Sequence, residues 1–279
     1  MSFNLQDLSW HQGVGQCVEH LDRPSFWHTL ATVLADFVEV DTWVALLFSH
    51  DKPQIFAQSP YKHEGIDPLV SEYANRLYLL DPFYINSREQ ALTGLVRLAD
   101  VAPEQFQQTD YYRLYFTHNV VADEVQFNLA LGDGRTLCLS LGGRSRFDTQ
   151  AIAQLELVRP WLIGLLRQRL HFEQLPERTP AKPGPRLAQR QDDACRKLES
   201  ALTARELDVV RLILSGHSNK ETANKLKLSA ETVKVHRRNV YRKLNVNSQS
   251  ELFSLLFLAG DDLANLNPAP QPPRAITPG

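Results

Sequence analysis

The period of the apolar positions changes several times along this chain, and the changes divide it. Between residues 25 and 38, Phe26, Trp27, Leu30, Val33, Leu34 and Phe37 recur at the spacing of a helix with one buried face. Trp43–Phe48 is a β-rich run after Asp41-Thr42, and Ile55–Ala57 is a candidate partner. A helix is predicted over 68–80, with Leu69, Tyr73, Leu77 and Leu80 on one side. Asp81-Pro82 ends it, because a residue before proline is pushed out of the α region. A second, aromatic helix near 109–118 holds Tyr111, Tyr112, Tyr115 and Phe116. VQFNLAL (125–131) and RTLCLSL (135–141) flank Gly132-Asp133-Gly134, the best hairpin signal in the chain. There Val125, Phe127, Leu129 and Leu131 alternate with Gln126, Asn128 and Ala130. A long helix over about 148–171 follows, its apolar face running through Ile152, Leu155, Val158, Leu162, Leu165 and Leu166. Pro160 is expected to kink or split it. The order α-β-β-α-α-β-β-α predicts an α+β fold here, an α-β-α sandwich around an antiparallel sheet.

Proline marks the next boundary. Pro176, Pro180, Pro183 and Pro185 fall within ten positions, which excludes an ordinary helix or central strand and reads as an extended tether. The expected organisation is a first domain over 1–173, a linker over 174–196, a helical domain over 197–262 and a disordered Pro-rich tail over 263–279. Charge follows the same division. The formal net charge is −2, yet residues 201–260 hold ten Lys or Arg and five acids, a net +5 that leaves −7 on the rest. A basic module joined to an acidic one points to a polyanion partner for the basic part alone.

Four helix starts follow in that basic segment. Thr203-Ala-Arg-Glu206, Ser218-Asn-Lys-Glu221 and Ser248-Gln-Ser-Glu251 are capping boxes, in which a hydroxyl and a carboxylate satisfy the free N–H groups of a helix start. Ser229 is an N-cap for the remaining helix, and Gly216 stands where a left-handed helix end is expected. Leu207, Val210, Leu214, Ala223, Leu226, Leu228, Val233, Val240 and Leu244 supply a small core. Two short helices with a tight turn at Leu228-Ser229 have the helix-turn-helix plan, whose second helix enters the major groove.

The stretch LTARELDVVRLILSGHSNKETANKLKLSAETVKVHRRNVYRKLNV, in uninterrupted register, resembles the output domain of LuxR/NarL/FixJ regulators. Two positions depart from that pattern: Thr222, where an apolar residue is usual, and Asn245, where glycine is usual. The resemblance implies a tetrahelical DNA-binding domain and double-stranded DNA as partner. It also implies that Lys234, Val235 and Arg238, which share the outer face of a recognition helix over about 230–244, read base edges. Lys220, Thr232, Arg237, Arg242 and Lys243 are placed for phosphate, while His236 and Asn239 fit either role. The last helix, about 249–258, carries Leu252, Phe253, Leu255, Leu256 and Phe257, more apolar side chains than a solvated helix needs. In the family this helix pairs two domains over a roughly palindromic site, so a homodimer is expected, with RNA polymerase a further candidate partner.

The first domain is too large to be a spacer, and its element order is similar to GAF, PAS and autoinducer-binding domains. EYANRLYLLDPFY resembles the Tyr…Tyr…Asp-Pro stretch of acyl-homoserine-lactone receptors, with Asp81 at the position of the ligand-binding aspartate. The tryptophans of those receptors are not matched: Trp10, Trp27, Trp43 and Trp161 leave none between 44 and 160. A different small molecule is therefore expected, with Tyr73, Tyr78, Asp81, Tyr84, Tyr111, Tyr112, Tyr115 and Phe127 as candidate pocket residues. Control by a partner protein or by abundance is the alternative. The acid pattern of a phosphorylated receiver domain is missing. GxSxG, HExxH and phosphate-cradling glycine motifs are absent, and no His, Cys or Asp residues have metal-ligand spacing, so neither an enzyme nor a cofactor is expected. Cys17, Cys138 and Cys195 are odd in number and far apart, which fits a reducing compartment. With no leader and no apolar span of about 20 residues, a cytoplasmic protein is expected.

Overall fold

The computed structural model describes residues 8–49, 52–60, 68–120, 122–173 and 201–257. The expected linker and tail lie outside these residues, as does Cys195.

Five strands form one sheet: β1 (Thr42–Phe48), β2 (Gln54–Gln58), β3 (Gly94–Arg97), β4 (Asp123–Ala130) and β5 (Thr136–Gly143). They run antiparallel in the order β2-β1-β5-β4-β3. The hairpin stands where the alternation placed it. Ala130 pairs with Thr136, and Gly132 and Gly134 take φ of 78° and 81°, which a side chain would strain. The Arg135 N–H closes the turn by donating to Asp133 Oδ1 at 3.1 Å.

Helices cover both faces of the sheet. On one lie α1 (Leu8–Glu19), α2 (Phe26–Ala35) and the long α5 (Thr149–Arg169), whose Trp10, Trp27, Leu30, Leu155 and Leu162 pack on Ala45, Leu47, Val125, Phe127, Leu129 and Leu139. On the other lie α3 (Pro68–Asn75), a 3-10 turn Leu77–Leu80, α4 (Pro82–Glu89) and an aromatic segment, packed on Leu46, Phe48 and Cys138. The result is the expected α-β-α sandwich.

Five local features differ from expectation. α1 was not anticipated, because its two glycines and polar residues leave only Trp10, Gly13 and Cys17 at helical spacing against the core. β3 is four residues long, too short to show an alternation. The predicted 68–80 helix breaks at Arg76, and the aromatic helix carries a π-helical turn, Tyr112–Phe116, preceded by a 3-10 turn, Phe106–Gln108. α5 runs through Pro160 unbroken. Proline removes one backbone bond to the Glu156 carbonyl, but both residues are exposed, so water replaces the lost donor.

Arg169 secures the end of α5. Its buried guanidinium bonds Glu173 at 2.7 Å and the carbonyls of Leu21 and Arg23 at 2.8 and 2.7 Å, and it lies over the Phe26 ring. Glu173 also accepts from the Trp27 indole, which fixes where the chain leaves the sandwich.

The C-terminal helices are α6 (Ala204–Leu214), α7 (Asn219–Leu226), α8 (Ala230–Leu244) and α9 (Gln249–Phe257). This bundle is docked on the sandwich. The Gln105 N–H donates to the Gly216 carbonyl at 2.9 Å, Arg76 donates to the Leu256 carbonyl at 3.1 Å, and Lys225 pairs with Glu89 at 2.5 Å. Gly216 has φ of 95°, and a Cβ there would stand 2.8 Å from Phe106 Cα and N, so the close approach requires glycine.

A candidate DNA-reading helix and a candidate sensor cavity

Local side-chain bonds set the helix starts of the bundle. Thr203 and Ser218 each accept from the N–H three residues on, while Glu206 and Glu221 reach back, completing both capping boxes. Ser229 accepts from the Thr232 N–H at 3.0 Å and starts α8. At α9 only half of the third box forms. Ser248 accepts from the Glu251 N–H, but the Glu251 carboxylate reaches the Asn247 N–H instead of that of Ser248. The turn between α7 and α8 bends at Lys227, with φ of 54°, and α8 ends at Asn245, with φ of 52°. Asparagine tolerates the left-handed region, which explains how it replaces the usual glycine.

Val233 and Val240 anchor α8 to the bundle and leave Lys234, Val235, Arg238 and Arg242 exposed on its outer side. The expected reading triad therefore shares one face. Val235 is 43 % exposed, unusual for valine and suited to a thymine methyl. Among the described residues Lys234 meets only Glu231, at 2.7 Å, through an exposed pair of little energetic weight. Lys220 is exposed at the start of α7, and Thr232 sits in the first turn of α8 beside Ser229. Arg242 donates to Asn239 at 3.2 Å, and Arg237 donates to the Tyr241 hydroxyl while lying 5.3 Å over its ring.

One expected phosphate contact is engaged inside the bundle. Lys243 Nζ lies 2.7 Å from Glu206, a nearly buried carboxylate 37 positions away that also accepts from the Thr203 N–H and hydroxyl. Burial alone would raise the Glu206 pKa, but these donors and the Lys243 charge outweigh it and hold it at about 2, below the ordinary 4.5. A carboxylate with a depressed folded-state pKa stabilises the fold above its unfolded value, and that contribution disappears as pH falls from about 4.5 towards 2. Urea unfolding of the bundle, followed by circular dichroism, should show an acid-labile component over that window. Lys243→Gln should flatten it, and an unchanged pH profile would refute the pairing.

Thr222 is fully buried, and its hydroxyl has no hydrogen-bond partner among the described residues. Thr222→Val keeps the shape and removes an unsatisfied polar group, so it should stabilise the bundle by about 1 kcal/mol. A loss of stability would show that the hydroxyl is satisfied in solution.

The sandwich contains a cavity of about 430 Å³ between the β1-β5-β4 face and the aromatic segment. Tyr73, Asp81, Tyr111 and Tyr115 line it, with Trp43, Val44, Leu46, Ile55 and Val70 as its apolar wall. Asp81 has two structural duties. Its Oδ1 accepts from the Phe83 N–H and caps α4, and its Oδ2 accepts from the Tyr73 hydroxyl at 2.5 Å. Burial outweighs these bonds and pushes its pKa up to about 6. The Tyr73 and Tyr115 rings stack 5.2 Å apart.

Four candidate pocket residues lie elsewhere. Phe127 is on the opposite face of the sheet, against α2 and α5, because alternation along β4 turns it away from Gln126. Tyr78 and Tyr84 pack edge to face, 4.9 Å apart, in the core beside the cavity. Tyr112 packs on Phe106 and Phe116 and is outside this cavity too. The sequence reading missed the floor: Glu124, Gln126 and Ser140, all buried. Their signal was the polar half of the hairpin alternation, which normally marks a solvated face. Here both faces are covered. Glu124 accepts from the Ser140 hydroxyl, and burial, followed by the nearby Asp81, pushes its pKa well above the ordinary range.

No helix among the described residues is long and apolar enough to cross a membrane. Leu252 and Phe253 of α9 are buried in the core, and Leu255 is exposed.

Residues 200–256 match the family described as bacterial regulatory proteins, luxR family. An Aeromonas salmonicida protein named as an HTH-type transcriptional regulator in the exeN 3′ region is 32 % identical over 182 residues, 63 % of this chain and 92 % of that one. The nitrate/nitrite response regulator NarP of Escherichia coli is 52 % identical over 59 residues, 21 % of this chain and 27 % of NarP. Among solved structures, the LBD domain of VqsR from Pseudomonas aeruginosa is 50 % identical with a TM-score of 0.56, covering 60 % of this chain and 99 % of that one. The capped four-helix bundle with its exposed basic face and these matches lead to one conclusion: the chain belongs to the luxR family of bacterial regulatory proteins and is a DNA-binding transcriptional regulator.

Proposed function

We propose that this regulator is gated by a small molecule held in the sandwich over residues 1–173, and that the bundle over 197–262 carries the response to DNA. The observation that carries the reading is the cavity, a partly open cleft with an apolar wall and convergent buried polar groups. The LBD designation of the VqsR domain, read as ligand-binding domain, supports it. Lys234, Val235 and Arg238 read bases, while Lys220, Thr232, Arg237 and Arg242 hold phosphates. Two copies act together on an approximately palindromic site.

The docked bundle gives the gate a physical route. Tyr111 lines the cavity, its ring lies 6.1 Å from that of Phe106, and the Phe106 backbone touches Gly216. A ligand that prefers one position of the aromatic segment therefore biases the docking of the bundle.

The experiment is thermal unfolding of the full chain against a metabolite panel that includes acyl-homoserine lactones. All four tryptophans precede the bundle, so their fluorescence reports the sandwich alone. A ligand at about 100 times its dissociation constant should stabilise it by roughly 2.7 kcal/mol. Silence across a broad panel would move the weight to control by a partner protein or by abundance.

A further inference from the structure

We infer that the cavity is built for a small molecule with a cationic, hydrogen-bond-donating nitrogen at one end of an apolar body, the nitrogen seated on Glu124 and Gln126. This rests on the reading of the sandwich as a small-molecule sensor and adds the charge of the ligand.

On the floor, Gln126 is 1 % exposed and its Oε1 has no partner among the described residues. Glu124 is 7 % exposed, and its carboxylate accepts from the Ser140 hydroxyl alone, with no Lys, Arg or His beside it among the described residues. Ser140, whose Cα lies opposite that of Gln126 across the β4–β5 ladder, has only one hydrogen and spends it on Glu124. The Tyr73 hydroxyl is likewise committed to Asp81. The unpartnered Gln126 Oε1 and the remaining lone pairs of Glu124 are thus acceptors. A buried acceptor without a donor is costly, and a buried carboxylate without a cation more so.

The basic side chains at the cavity do not fill this need. Arg144 lines it but is paired with Asp41 at 3.2 Å and is 64 % exposed, and His118 lies next to Thr117, with its Nδ1 3.3 Å from that hydroxyl. Asp81, also on the wall, adds negative charge, and the mutual repulsion of the two carboxyls raises the Glu124 pKa beyond what burial does. A lactone, carboxylate or phosphate would bring further acceptors to these groups. An ammonium, amidinium or guanidinium supplies donors to Gln126 and Glu124 and charge to both carboxylates. Trp43, Val44, Leu46, Ile55 and Val70 then accept an apolar body in a space near the lower end of the roughly 300–1,000 Å³ usual for small-molecule sites.

The test uses the full chain and four probes with one body: n-octylamine, 1-octanol, octanoate and N-octanoyl homoserine lactone. Calorimetric titration of the wild type should give octylamine an affinity at least about tenfold above the other three, the range of a charge-assisted hydrogen bond. E124Q, nearly isosteric, should erase that preference, and cooperative thermal unfolding followed by tryptophan fluorescence certifies that the sandwich stays folded. A preference for octanoate or the lactone overturns the inference, as does an amine preference that survives E124Q. Those results leave the sensor reading standing, because something still binds. Failure of all four probes, together with a silent metabolite panel, sinks the inference and the sensor reading together.

Discussion

Replacing Lys234 and Arg238 together with alanine should abolish sequence-selective DNA binding and leave the fold intact. Both side chains are exposed on α8, and neither supports the core, which Val233 and Val240 hold from the opposite side. Arg238 makes no hydrogen bond or ion pair within the described residues, so its five donors are unspent. Lys234 meets only the exposed Glu231, which little energy retains. Each base contact contributes about 1–3 kcal/mol of discrimination, so the double variant should lose between about 30-fold and several thousand-fold at its preferred site. Binding to unrelated duplexes should change far less, because phosphate contacts remain. The measurement is a titration of a duplex selected from random sequence against a scrambled one, with Lys220→Ala as the contrast. Lys220→Ala should weaken both duplexes alike and reduce the salt slope by about one. Equal operator affinity for the double variant and the wild type would move the reading face elsewhere.

Asp81→Ala should destabilise the sandwich by about 2–4 kcal/mol, whatever the ligand. The substitution removes the cap on α4 and strands two buried donors, the Phe83 N–H and the Tyr73 hydroxyl. The loss is moderated because the buried carboxylate is itself costly, as its raised pKa of about 6 records. Asp81→Asn keeps the Oδ1 acceptor and should lose less than half as much. Urea unfolding followed by tryptophan fluorescence measures this in the full chain, since the four tryptophans report the sandwich. Unchanged stability combined with lost ligand response would make Asp81 a recognition group rather than part of the frame. In the predicted outcome, loss of ligand response in Asp81→Ala would by itself say little about recognition.

The candidate sites were legible to different degrees, for reasons that lie in the range of the interactions. The bundle was almost fully legible. Its starts are written in side chains that bond backbone groups three residues away, at Thr203, Ser218 and Ser229, and such bonds need no distant partner. The outer face of α8 follows from the spacing of Val233 and Val240. The pairing of Lys243 with Glu206 was not legible, because the two stand on different helices and nothing in the local pattern brings them together. The cavity was half legible. Tyr73, Asp81, Tyr111 and Tyr115 line it as expected, but Phe127, Tyr78, Tyr84 and Tyr112 were included with them and the floor was not.

What the sequence by itself determined is therefore the set of helix starts and turns, the hairpin register, the basic face of the output bundle and the division between an acidic and a basic part. These depend on contacts within a few residues or on simple periodicity. Only the tertiary structure decided which medium each face of the hairpin meets. A period of two says that Glu124, Gln126 and Asn128 share a side, but not whether water or a covering layer lies against it. The aromatic segment covers that side, turning a polar stripe that reads as solvated into the buried floor of a cavity. The docking of Gly216 on Phe106 was likewise fixed only in three dimensions, because a close backbone approach depends on where two separate parts of the chain come to rest.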